Sequence, residues 1–210
     1  MTSLLLPGID VLPPPQTRQR ALSQWWTPPT LARRFAEWAL DGLRFPSVVE
    51  PSAGDGALVR AILEARPLAR VMAIEIDPHW VRVLRERHEH EIAAVVEDDY
   101  LRRAMHEVAA VVMNPPYENG LDGRFLAHAM THADRIGALL RVNSLTGQER
   151  HAQVWSSVGK DWQLDGLAYM ARRPQFSAAG IDVGHAQHDF CAVRLVRTTK
   201  RRKCEVQWWT

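Results

Sequence analysis

From Thr27-Pro28-Pro29 onward, the apolar positions switch between helical spacing and short uninterrupted runs. Leu31, Phe35, Trp38 and Ala39 recur at helical intervals and share one face. Thr30 is placed to cap that helix, and Asp41-Gly42 to end it. Ser47-Val48-Val49-Glu50 is a short buried strand, followed by a Gly-rich turn and a helix from about Ala57 to Ala65 that Pro67 stops. Arg70 to Ile76 is a second strand, and Pro78 opens a helix running to about His88. Ile92 to Val96 and Val108 to Met113 are the third and fourth strands, the latter ending in Asn114-Pro115-Pro116. Phe125 to Ile136 is helical and Gly137 to Val142 is a fifth strand. Phe190 to Val196 alternates as a late strand, with Cys204 to Trp208 beside it.

Short strands alternating with helices predict an α/β fold with a doubly wound, parallel sheet. Ligands of such sheets sit at the carboxyl ends of the strands. Glu50, Glu75, Asp98-Asp99 and Asn114 all fall at the predicted carboxyl ends of strands one to four, so they line one sheet edge. Residues 1–22, with Pro13-Pro14-Pro15, read as an extended arm, leaving residues 23–210 as a single domain.

Composition narrows the class. The chain has 210 residues, 46% hydrophobic and 24% charged, which suits one soluble globular domain. A net charge of +2 is no polycation, so a nucleic-acid surface requires local clustering of basic residues. Two cysteines without a C-x-x-C exclude a disulfide scaffold and point to a reducing, cytoplasmic setting. No apolar run approaches the ~18 residues of a membrane span. The nine histidines, His88, His90, His185 and His188 among them, lack zinc-ligand spacing, so no metal is expected. Cys191 reads as a small core residue, and Trp38, Trp80 and Trp162 as packing residues. Trp208-Trp209 docks either into a partner or onto its own sheet.

Four segments carry candidate chemistry. In Glu50-Pro51-Ser52-Ala53-Gly54-Asp55-Gly56, glycines let the backbone approach a ligand and the next helix offers free N–H groups. An acid at the strand end repels a pyrophosphate and welcomes an ammonium group, which points to a zwitterionic amino-acid ligand; the alternative is a plain strand–turn–helix loop. Glu75, in Ile74-Glu75-Ile76-Asp77, is placed either for ribose hydroxyls or in a solvated acidic loop. In Asp98-Asp99-Tyr100, a carboxylate can accept from an amine and the aromatic can cover a purine. In Asn114-Pro115-Pro116-Tyr117, two prolines stiffen the loop and remove donors, leaving the Asn amide oxygen and carbonyls to accept from an amine, with Tyr117 as a planar face.

In this order, the four motifs resemble those of the class I S-adenosylmethionine-dependent amino-methyltransferases, and more narrowly the DNA N6-adenine methyltransferases in small forms common in phages and prophages. Gln24-Trp25-Trp26-Thr27-Pro28-Pro29 is similar to the family segment that closes over the methionine end of the cofactor, and Arg173-Pro174-Gln175-Phe176, Gly180 and Asp189-Phe190 to a late one. The resemblance covers residues 24 to about 197. It implies a Rossmann-like, mostly parallel, seven-stranded sheet and S-adenosylmethionine as cofactor. Trp26, Thr27, Pro28 and Glu50 would hold the methionine moiety, helped by backbone at Ser52 and Gly54. Glu75 would take the ribose hydroxyls, Ile76 the adenine face, Asp99 the adenine amine and Tyr100 the ring. Asn114, which borders the cofactor too, and the Pro115 carbonyl would accept from the target amine. Pro116 would stiffen that loop and Tyr117 would stack on the flipped base.

The implied partner is double-stranded DNA, its adenine swung out for methylation at N6. Phe176, Arg201 and Arg202 are candidate nucleic-acid contacts, with Arg18 and Arg20 extending a positive face. Arg197 to Lys203 is either a solvated hairpin turn between two terminal strands or a phosphate-contacting loop. The chain has no room for a large recognition domain, leaving residues 143–159 and 172–188 for base contacts and a homodimer as the expected assembly. Competing targets are cytosine N4, adenine of RNA, or protein glutamine; a catalytically inactive cofactor-binding partner subunit is the non-enzymatic alternative.

Overall fold

The computed structural model describes residues 26–88, 90–178, 181–182 and 188–210. The expectations for the arm, Arg18, Arg20, Gln24-Trp25, Gly180 and His185 lie outside them. The elements are α1 (Pro29–Ala39), β1 (Ser47–Glu50), α2 (Ala57–Ala65), β2 (Arg70–Glu75), α3 (Pro78–His88), β3 (Ala94–Glu97), β4 (Ala110–Met113), α4 (Leu121–Met130), β5 (Arg135–Arg141), α5 (Gln148–Gln153), β6 (Trp162–Met170), β7 (Ser177–Ala178), β8 (Ile181–Asp182), β9 (Phe190–Arg197) and β10 (Glu205–Trp209). Short 3₁₀ turns cover Glu118–Gly120, Val142–Leu145 and Trp155–Ser157.

One mixed sheet runs β10-β6-β9-β5-β4-β1-β2-β3, with β7-β8 a separate ribbon. Every pairing in it is parallel except those of β9, which is antiparallel to both β5 and β6. Alternate residues of each strand feed opposite cores. Val48, Val71, Ala73, Ala110, Val112 and Leu139 meet α1, α2 and Leu84 of α3. Val49, Ile74, Val111, Met113, Ala138 and Leu140 meet Phe125, Leu126 and Ala129 of α4. The sheet is thus covered on both faces, as the uninterrupted apolar runs require. Cys191 is fully buried in this second core.

Three expectations are corrected. The sheet has eight strands among the described residues rather than seven; the added one is β6, in the centre of the late half. Its register shifts between Leu164 and Gly166, so Asp165 sits in a bulge that breaks the period-two pattern. The helix expected to reach Ile136 ends at Met130, because Arg135 to Arg141 are claimed by pairing with β9. Pro28, not Thr30, is the N-cap of α1: its carbonyl accepts from the Ala32 N–H at 2.8 Å.

The last two strands also differ from a hairpin. Both β9 and β10 pair with β6, on its two sides, so residues 198–204 cross over β6. Trp209 is buried edge-on against Trp38, docking the terminus on its own sheet, whereas Trp208 is 62% exposed beside Tyr169.

Candidate active site

The carboxyl ends of β1, β2, β3 and β4 deliver Glu50, Glu75, Asp98 and Asn114 to one edge, where a cavity of about 280 Å³ opens. Trp26, Thr27, Glu50, Ser52, Gly54, Glu75, Ile76, Asp99, Tyr100, Asn114, Pro115, Pro116 and Tyr117 all line it. Pro28 does not: it starts α1 beside the cavity.

The loop after β1 is tied to its neighbours by specific bonds. Gly54 adopts φ +52°, and a Cβ there would come within 2.8 Å of the Trp26 ring, so only glycine lets that indole close on the loop. Trp26 in turn meets Trp80 of α3 edge-on at 4.7 Å. The Gly54 N–H donates to Glu75 Oε2 at 2.8 Å and the Asp77 N–H to Glu75 Oε1 at 2.9 Å. Ser52 Oγ donates to the Asn114 carbonyl at 3.2 Å.

Asn114 is held from several sides. Its Nδ2 donates to Thr27 Oγ1 at 3.1 Å, and its Oδ1 accepts from the Tyr117 hydroxyl, which also reaches the Leu139 carbonyl at 3.1 Å. Tyr117 is only 5% exposed, with the Arg141 guanidinium 4.7 Å from its ring centroid and Phe190 edge-on at 5.6 Å. The ring is therefore not the open stacking face expected of it. Phe176 is likewise corrected: it is buried against Phe190, 4.8 Å between centroids, in one small cluster with Tyr117.

Charge is distributed unevenly. Glu50 is 2% exposed, and its Oε2 has no hydrogen-bond partner among the described residues. Burial, then the nearby Asp55 and Glu75 carboxylates, push its pKa well above the usual range. Burial also raises Glu75. Asp98 is held low by its hydrogen bond from Arg103, at 2.7 Å. Asp99 Oδ1 accepts from the Leu101 N–H at 3.0 Å. Tyr100 is buried among Phe125, His128 and His132, with its hydroxyl 3.2 Å from His132 Nε2.

The profile of the Methyltransferase small domain matches residues 39–155, more than half of the chain. The chain belongs to that family.

Curated relatives match only in part. The type II methyltransferase M.AccI of Acinetobacter calcoaceticus is 27% identical over 101 residues, 47% of this chain and 19% of its own length. A Haloarcula marismortui protein named as ribosomal RNA small subunit methyltransferase A is 36% identical over 89 residues, 40% of this chain and 30% of its own. The chain thus matches less than a third of either relative. Among solved structures, PH1948 of Pyrococcus horikoshii, which carries the name of an RNA methyltransferase, superposes with a TM-score of 0.69 at 19% identity, covering 84% of this chain and 88% of that one. The fold is the class I methyltransferase fold.

Family and fold bring S-adenosylmethionine as the cofactor, and the cavity fits it. A buried carboxylate oxygen without a partner, Glu50 Oε2, suits an ammonium group. Ile76 leaves an apolar side chain 52% exposed in the cavity wall, a surface for a planar ring. Glu75 already accepts two backbone N–H bonds, but each oxygen keeps a further lone pair for a hydroxyl.

The basic run is not at this edge. β9 runs antiparallel, so Arg197 pairs back towards the start of β5 and residues 198–204 lie at the amino ends of the parallel strands. Arg202 is bound to the buried Asp165 carboxylate, which Arg194 also holds at 2.7 Å. Arg201 and Arg202 are therefore corrected as contacts for a target entering the cavity. Residues 143–159 and 172–178 leave from the carboxyl ends of β5 and β6, on the cavity side. Arg124 and Leu121 of α4 and Glu118 also line the cavity, and Arg141 covers Tyr117; sequence reasoning named none of these four. Their signal was position alone, just after the Asn-Pro-Pro-Tyr segment or at the end of β5. Among the described residues no group of three or more His, Cys, Asp or Glu could hold a metal, and no helix is long and apolar enough to cross a membrane.

Proposed function

We propose that this chain transfers the methyl group of S-adenosylmethionine to the exocyclic N6 of adenine in DNA, with the base flipped into the cavity. The observation carrying this reading is the placement of Asn114. It is a hydrogen-bond acceptor in a proline-stiffened loop, held by Thr27 and Tyr117, in the same cavity as the unpartnered Glu50 carboxylate.

The bound cofactor supplies an activated methyl group on a sulfonium. The protein's part is orientation. An aromatic amine is a poor nucleophile because its lone pair is delocalised into the ring. Asn114 Oδ1 and the Pro115 carbonyl, accepting from its two hydrogens, favour a pyramidal nitrogen whose lone pair faces the methyl group. Glu50 anchors the methionine ammonium, Glu75 the ribose, and Ile76, Asp99 and Tyr100 the adenine end. Trp26 and Thr27 close the near side.

M.AccI, a type II methyltransferase, supports a DNA target. The names of the H. marismortui and P. horikoshii proteins favour a second reading, adenine in structured RNA. Residues 143–159 and 172–178 leave the sheet on the cavity side, and the loops we assign to target contacts are 143–159 and 172–188; two copies on a palindromic site would double that limited surface. The test incubates the chain with labelled cofactor and separate DNA, RNA and protein pools, then digests each and identifies the modified unit. N6-methyladenine in DNA is expected; label only in RNA adenine, cytosine N4 or glutamine moves the target, and no label in any pool refutes an active enzyme.

A further inference from the structure

Arg141, the last residue of β5, lays its guanidinium on Tyr117 from outside the cavity lining. Its guanidinium carbon stands 4.7 Å from the Tyr117 ring centroid, and Nη2 lies 3.8 Å from Glu118 Oε1. Two residues back on the same strand, the Leu139 carbonyl accepts from the Tyr117 hydroxyl at 3.1 Å. Tyr117 is thus strapped to β5 twice, by its hydroxyl and by its ring face. That same hydroxyl donates to Asn114 Oδ1.

Asn114 Oδ1 is the acceptor that the target amine needs, and the Tyr117 hydroxyl holds one of its two lone pairs, which narrows the directions left for that amine. A phenol has one hydrogen to donate, and here it has two acceptors within reach. When an amine arrives at Asn114, the hydroxyl can turn wholly to the Leu139 carbonyl without its ring moving, provided the ring is held. A planar cation over a buried aromatic face is a strong holder of that kind. Arg141 has little other employment: its side chain is 22% exposed, and its Nε is buried with no partner among the described residues, as is Glu118 Oε2.

We propose that Arg141 is a positioning residue for methyl transfer: it pins the Tyr117 ring so that the hydroxyl orients the Asn114 amide before the target enters and yields to the Leu139 carbonyl when the target amine binds. The proposal rests on Asn114 being the acceptor of the target amine, and not on which polymer carries that amine.

The test is a double-mutant cycle between Arg141 and Tyr117, run on whichever pool the wild type labels, so that the target class is read separately from the role of Arg141. Arg141→Met is expected to lower kcat roughly tenfold to a hundredfold, the size of effect a small misplacement of reacting groups produces. The KM for S-adenosylmethionine should stay within about twofold, since Arg141 touches none of the residues assigned to it. Arg141→Lys keeps the charge over the ring and should recover part of the loss; a Lys variant as slow as the Met variant would leave the ring contact without a role and overturn the proposal. In a Tyr117→Phe background the ring remains and the hydroxyl is gone, so Arg141→Met should cost little more. Equal losses in both backgrounds would mean that Arg141 acts independently of Tyr117 and would also overturn it. A rise in the KM for the target at unchanged kcat would make Arg141 a binding contact instead. Should Arg141→Met fold poorly, the Lys variant and the Tyr117→Phe comparison still score the coupling. A wild type that labels DNA refutes neither statement, one that labels only RNA or protein refutes the DNA target alone, and one that labels nothing refutes both.

Discussion

The Gly54 N–H donates to Glu75 Oε2 at 2.8 Å, joining the loop after β1 to the end of β2. One carboxylate therefore both shapes the Gly-rich loop and faces the cavity. In Glu75→Gln the amide either turns a donor towards the Gly54 N–H or loses the Asp77 bond. Cofactor affinity should fall by about 1–3 kcal/mol, the cost of unpairing buried polar groups. Titration calorimetry checks this, and an unchanged Kd would remove Glu75 from the cofactor site.

The buried Glu50 carboxyl has a raised pKa, so the cofactor-free protein keeps a proton there that an unfolded chain releases near the ordinary carboxylate value. The sign follows: this group's contribution favours the folded state at low pH and weakens as pH rises through that window to the folded pKa. An ammonium group bound at Glu50 favours the ionised form and expels the proton. Calorimetry over a pH series above the ordinary carboxylate value, in two buffers of different ionisation enthalpy, should show net proton release on cofactor binding, reduced in Glu50→Gln. Equal proton counts for wild type and variant would contradict the assignment.

Asn114→Ala should lower methyl transfer by at least about a hundredfold, the usual scale for losing one preorganised hydrogen-bonding group at a reacting centre. Cofactor binding should change far less, because Glu50, Glu75 and Ile76 are untouched. Single-turnover transfer of label, measured beside the cofactor Kd, separates the two. Normal turnover would end the proposed chemistry.

Arg201 and Arg202 lie at the amino-terminal sheet edge, away from the cavity. Replacing both by Ala should leave the salt dependence and affinity of DNA binding unchanged, in a filter or fluorescence assay. The half-exposed Arg202 should cost only about 0–1 kcal/mol of stability through its lost pairing with Asp165. A flattened salt dependence would restore the basic run to the interface.

His132, against the Tyr100 hydroxyl, is pushed down from 6.5 to about 4 by burial and then by His128. A depressed base binds fewer protons folded than unfolded, so its contribution is intact above about 6.5 and is lost as pH falls towards 4. Denaturant unfolding across that range should show a steeper acid loss for wild type than for His132→Gln. Parallel curves would show that His132 protonates freely in the folded protein.

Much of this architecture was readable along the chain. Strands such as Ser47–Glu50 and helices such as Ala57–Ala65 announce themselves through apolar spacing and through Gly and Pro at their ends, because those signals are local. With the elements in order, the parallel sheet followed, and with it the meeting of Glu50, Glu75, Asp98 and Asn114 at one edge. What escaped depended on partners far away in sequence. β6 was hidden because Asp165 and Gly166, poor strand formers, are tolerated in a bulge where Arg194 and Arg202 neutralise the acid. The basic run took its place from β10 pairing across β6, a choice made by tertiary packing and not by the loop itself. Tyr117 looked like an open platform because neither Pro115-Pro116 before it nor Glu118-Asn119 after it signals burial; its burial comes from Arg141, Phe190 and the Leu139 carbonyl, contributed by strands that meet it only when the sheet closes.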